Sequence, residues 1–132
     1  MYLRFTTQFI DIDGELETGI FMALRYLRDD HSLTKDEDIK KLKELSGWFN
    51  GNLEKPTRLS KGTSKLNADV SLSWFKDSAK QHIKKIQDFI EIAERYDIII
   101  DRIASKNPGY IVFEDEYQVS AVPFKTDRKS VI

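Results

Sequence analysis

The chain has no cysteine, which excludes disulfide frameworks, thiolate zinc sites, iron–sulfur clusters and cysteine nucleophiles together. Two histidines are left for any proton shuttle or imidazole ligand. No apolar run approaches the ~20 residues that a membrane-spanning helix requires. The opening Met1-Tyr2-Leu3-Arg4-Phe5 lacks the basic region and apolar block of a secretory signal, so the expectation is a cytoplasmic protein with no membrane association. Neither sign of charge is in excess: 21 Lys and Arg against 22 Asp and Glu leave a net charge of −1, which argues against a generic nucleic-acid coat. What is present is 132 residues, 40% hydrophobic and 33% charged, the composition of an ordinary globular protein. A chain of this length buries roughly two-thirds of its unfolded surface in one core, which predicts a single domain over 1–125 and a frayed polar tail over 126–132.

Leu3, Phe5 and Phe9 alternate with Arg4, Thr6 and Gln8, the pattern of a half-buried strand. Asp13-Gly14 marks a turn. Ile20, Leu24 and Leu27 then recur at helical spacing, with Arg25, Arg28, Asp29 and Asp30 left to solvent. A second helix is expected from Thr34, with Glu37 closing a capping box. Ile39, Leu42, Leu45 and Phe49 form its stripe, and Asn50-Gly51 is its stop, so that the two helices make a helical hairpin. Residues 52–70 carry no period and read as a long loop.

The longest periodic segment is Leu72, Phe75, Ala79, His82, Ile86, Phe89, Ala93 and Tyr96, widened by Ile83 and Ile90. It predicts one amphipathic helix over 71–96, about 40 Å long, as the central element. Ile98-Ile99-Ile100 reads as a short strand. After the turn Asn107-Pro108-Gly109, Tyr110–Phe113 and Tyr117–Val122 read as a hairpin with Glu114-Asp115-Glu116 at its tip. The expected fold is α+β: an N-terminal strand, a helical hairpin, a long central helix, and C-terminal antiparallel strands packed on that helix.

Candidate chemistry is thin. His82 lies on the apolar seam of the long helix, where it is either a general base at a cleft or a core histidine with one hydrogen bond; the second is the commoner fate. Asp29, Asp30 and His31 offer cation ligands, but adjacent residues at a helix end point in different directions. Glu114 and Glu116 are either functional carboxylates or part of a polar turn. No Ser-His-Asp, phosphate-loop or dinucleotide fingerprint is present. Gly62-Thr63-Ser64-Lys65 lacks both the spacing and the preceding strand of a phosphate loop. No cofactor, metal or catalytic residue is therefore assigned.

Charge distribution says more. Residues 1–54 hold 7 basic against 11 acidic side chains, 55–85 hold 8 against 2, and 86–132 hold 6 against 9. The near-neutral total conceals a basic middle made of Lys55, Arg58, Lys61, Lys65, Lys76, Lys80, Lys84 and Lys85. Cations in the first half of a helix oppose its macrodipole, so helix stability does not explain them. Neutralisation by the acidic flanks, an acidic protein partner, and a phosphate-bearing ligand remain as explanations. Trp74 sits within this block, placed either to cover a loop or to stack on a base.

Trp48-Phe49, Trp74-Phe75-Lys76, and Pro108-Gly109-Tyr110-Ile111-Val112-Phe113-Glu114-Asp115-Glu116-Tyr117-Gln118-Val119 followed by Pro123-Phe124 give a further lead. On these segments the chain resembles a family of small uncharacterised bacterial proteins over most of its length. The resemblance implies a bacterial or phage context and transfers no activity or cofactor. It favours Trp74, Lys76, Tyr110, Glu114 and Gln118 as residues that matter. The leading expectation is a non-catalytic protein acting through protein contacts or self-association, by its long helix and its basic loop and helix face. The alternative is a nucleic-acid or nucleotide binder using Arg58, Lys61, Trp74, Lys76 and Lys80, and the third is a hydrolase using His82 with Glu114.

Overall fold

The computed structural model describes residues 1–55 and 71–124. Along the chain these form β1 (Tyr2–Thr6), β2 (Gln8–Ile10), β3 (Leu16–Thr18), α1 (Ile20–Arg25) continued by a π-helical turn at Tyr26–Asp30, α2 (Asp36–Asn52), β4 (Leu72–Lys76), α3 (Lys80–Glu94), β5 (Asp101–Ser105), β6 (Tyr110–Glu114) and β7 (Gln118–Val122). The fold is mixed α+β, and its strands form a five-stranded sheet of order β5-β1-β4-β7-β6 and a separate β2-β3 ribbon. The described chain gathers into two compact units. One takes in 1–4, 55, 71–80 and 104–124; the other takes in Phe5–Glu54 and Gln81–Ile103.

In the first unit β4 lies between β1 and β7, antiparallel to both, with Tyr2 opposite Lys76 and Trp74 opposite Val119. All five residues of β7 are buried, so both of its faces are covered. That accords with its composition, Gln118, Val119, Ser120, Ala121 and Val122, in which no side chain is charged: a strand closed on both sides has no solvent face on which to place charge. β6 pairs antiparallel with β7 and carries a bulge between Ile111 and Phe113. The turn between them is organised by Asp115, whose carboxylate accepts from the backbone N–H of Tyr117 and Gln118 at 2.8 and 2.9 Å. One of the three expected tip acids is therefore a turn-former. Gly109 enters β6 at φ 135°, and a Cβ there would lie 2.1 Å from the carbonyl oxygen of Val122.

The long helix expected over 71–96 is not formed. Leu72–Lys76 is a strand, Asp77-Ser78 turns the chain, and the helix proper runs only over Lys80–Glu94. The spacing of Leu72, Phe75 and Ala79 fits a helix, yet Trp74 and Phe75 are buried on opposite faces of the strand. Aromatic residues are good strand formers, and the cross-strand partners that settle the choice lie far along the chain. From Ala79 onward the seam is as expected: Ala79, His82, Ile86, Phe89 and Ala93 are buried, with Ile92, and Ile83 and Ile90 are half-buried.

α3 ends in a Schellman motif, with Ile98 N–H bonded to Ala93 O, Asp97 N–H bonded to Glu94 O, and Asp97 in the left-handed region at φ 61°. This stop displaces the strand expected at Ile98–Ile100 to Asp101–Ser105. Two further expectations change in the second unit. A short β3 precedes the first helix, pairing with β2 across the turn at Asp11–Gly14. α2 has Lys35 rather than Thr34 at its N-cap with no side-chain cap bond, because Thr34 is buried with its hydroxyl against His31 Nδ1 at 3.1 Å; the helix also continues past Asn50-Gly51 to Asn52.

Candidate functional site

The sheet of the first unit collects most of the residues singled out from the sequence. Lys76 on β4 and Glu114 on β6 form an ion pair at 2.6 Å. Trp74 shares their face, packed with Val119 and Ala121 and flanked by Tyr2 and Leu72. At 8% exposure its ring is core and offers no surface for a base to stack on, which corrects that half of the expectation. Gln118 is buried on the opposite face, opposite Phe75, and its amide donates to Asp115 at 3.1 Å. Tyr110 is exposed and packs edge-on against Phe124, with ring centroids 4.8 Å apart.

The same face holds Arg4, a residue that sequence reasoning assigned to the solvent side of a strand. The β1-β4 register sets it opposite Trp74. It is half-buried, and its Nη1 donates to the backbone carbonyl of Ser73 at 3.1 Å. Among the described residues no carboxylate pairs with it, and burial alone lowers its pKa. Trp74 Nε1, one strand away, is buried with no hydrogen-bond partner among the described residues; Ser120 Oγ, on the other face, is likewise unpartnered among them. Alternation reveals only that Arg4 occupies a strand, not that its face is covered.

The basic block does not form a helical stripe. Lys76 belongs to a strand and is neutralised by Glu114, while Lys84 pairs with Asp88 at 2.7 Å. Lys80 is exposed at the start of α3, and Lys85 lies 5.6 Å from the centre of the Trp48 ring. Arg58 and Lys61 lie outside the described residues, as do most of the loop expected over 52–70 and all of the tail expected over 126–132.

In the second unit His82 is buried, donates from Nε2 to the Asn52 carbonyl at 2.7 Å, and meets the Trp48 ring edge-on at 4.7 Å. That is the core-histidine arrangement. Asp29 is held by Arg28 through two hydrogen bonds of 2.8 and 2.7 Å, which also lower its pKa. Among the described residues no group of three metal-ligating side chains is assembled. Among the described residues the most buried carboxylate is Asp38, at the start of α2, which accepts from the Tyr96 hydroxyl at 2.5 Å and forms an ion pair with Arg95 at 3.3 Å. Tyr96 in turn accepts from Lys35 N–H at 3.0 Å. Burial, then the bond to Asp38, raises the pKa of this phenol. Nothing in the first turn of α2 distinguishes Asp38 from Asp36 by sequence.

The β2-β3 ribbon presents a different surface. Its Phe9 side is buried against the Tyr26 ring at 5.0 Å. Its other side carries Ile10 directly opposite Leu16, 57% and 61% exposed, and the adjoining turn carries Ile12, 68% exposed. Between Gln8 and Thr18 the chain has four acidic residues, Asp11, Asp13, Glu15 and Glu17, and no basic one. Compared with protein-family models, curated proteins and solved structures, the chain matches none.

Proposed function

We propose that this protein is a non-catalytic contact protein, and that the outward face of the β2-β3 ribbon is the surface through which it acts. The observation carrying this reading is the exposed cross-strand pair Ile10–Leu16 with Ile12 beside it. A two-stranded ribbon outside the main sheet gains nothing from apolar side chains turned to water, and clustered exposed hydrophobes mark interaction surfaces. Asp11, Asp13, Glu15 and Glu17, with no basic residue between Gln8 and Thr18, give the ribbon as a whole a negative charge, which makes a symmetric ribbon-to-ribbon contact repulsive. The partner that fits is another protein with an apolar surface rimmed by Lys or Arg. This moves the contact surface away from α3, whose apolar residues are buried or half-buried, and from the basic block, where two lysines are neutralised internally. A cytoplasmic setting accords with it; among the described residues no helix is long and apolar enough to cross a membrane.

Selection of a phage-displayed peptide library on the folded protein tests the reading. Enriched peptides should alternate apolar and basic residues. Their affinity should fall at least tenfold for the Ile10→Ser, Leu16→Ser double variant, as expected for losing ~1.4 kcal/mol of contact. Selection of acidic peptides, or of peptides indifferent to the double variant, would overturn it; peptides that compete with a second copy of the chain would point to self-association instead.

A further inference from the structure

We infer that the face of the sheet carrying Arg4 and Trp74 is a binding site for a small oxyanion, a phosphate or carboxylate group. Two independent features converge on neighbouring positions of adjacent strands. The first is a half-buried guanidinium with no carboxylate partner among the described residues, its one hydrogen bond going to the Ser73 carbonyl. Cations removed from water are ordinarily paired, because desolvation is repaid only by an opposite charge. The second is the Trp74 indole N–H, buried and without a partner among the described residues, where buried tryptophans ordinarily find an acceptor.

Both groups can only donate. What satisfies them together must therefore accept hydrogen bonds and carry negative charge, and guanidinium–oxyanion pairs are among the strongest charge-assisted bonds. The surroundings limit the ligand. Glu114 lies on this face, but its charge is engaged by Lys76 at 2.6 Å, so the anion is not opposed by a free carboxylate there. The Trp74 ring, 8% exposed, offers no stacking surface, which selects a small oxyanion group over a nucleobase. Arg4 is only half-buried, so the guanidinium side of this face remains open to solvent. The site and the ribbon belong to different units of the chain, and neither reading depends on the other.

The test follows the tryptophan indole N–H resonances by nitrogen-15 NMR, with the Trp74 signal assigned from Trp74→Phe. Inorganic phosphate, acetate and, as an ionic-strength control, sodium chloride are titrated in. The Trp74 signal should shift saturably with phosphate or acetate and not with chloride, while the Trp48 signal stays put; the anion that acts identifies which oxyanion is preferred. Arg4→Met should weaken the response at least tenfold. It should leave the melting temperature unchanged or raised, since it removes an unpaired charge, and should abolish the rise that the anion produces in the parent protein. Absence of a saturable shift, an equal shift in chloride, or an Arg4→Met variant that melts lower would each overturn the assignment.

Discussion

Gly109 is held at a backbone angle unfavourable to side chains and against a carbonyl oxygen, so Gly109→Ala has no room in which to relax. The substitution should cost about 2–4 kcal/mol, read as a lower urea midpoint at unchanged slope. Tyr96 gives a pH-dependent counterpart. Its pKa is raised in the folded state, so its contribution is whole below the unfolded phenol value near 10 and is lost as pH rises through the folded value. Tyr96→Phe should lower stability at neutral pH by about 1–3 kcal/mol, because the buried Asp38 carboxylate loses its shortest bond and Lys35 N–H its acceptor. Urea titrations between neutral and strongly alkaline pH should also show a shallower alkaline decline in the variant. Gly109 stands out in the sequence as part of a turn signature. Asp38 does not, because its partners Arg95 and Tyr96 lie far along the chain.

Elements differ in how far their own residues determine them. α3 from Ala79 onward is readable because a 3-4 apolar repeat has one structural solution when sustained over several turns. Leu72–Lys76 is not, since three apolar positions at helical spacing also fit an aromatic-rich strand, and the decision is made by pairing with β1 and β7. The stop of α3 is likewise a matter of hydrogen bonds, with Asp97 accepting a left-handed conformation to close the Schellman motif. Asp97→Gly should therefore stabilise the protein by about 0.5–1 kcal/mol, a rise of roughly 2–4 °C in a thermal melt followed by circular dichroism. A fall would mean that the aspartate side chain contributes more than its backbone strain costs.

For the molecule as a whole, net charge is a poor guide and its distribution a better one. The basic middle is offset at Lys76 and Lys84 by Glu114 and Asp88, favouring internal neutralisation as the account of those two residues. The intact protein should accordingly leave a heparin column at or below about 0.15 M salt, where surface charges farther apart than the Debye length of about 8 Å are already largely screened. Retention to much higher salt would restore the nucleic-acid reading. The exposed ribbon makes the opposite kind of statement: Ile10→Thr with Leu16→Thr, both strand formers turned to solvent, should change stability by less than about 0.5 kcal/mol.

The sequence by itself determined the α+β character, the absence of any thiol chemistry, the buried seam of α3 and the turn before β6, because each depends on composition or on a period carried within a few turns of chain. Only the tertiary structure decided that Trp74 lies in a strand, that Lys76 meets Glu114, that Arg4 is half-buried without a carboxylate partner among the described residues and that the exposed apolar pair lies on an acidic ribbon. Those outcomes depend on strand register and on which face is covered, and both are set by residues distant in the chain.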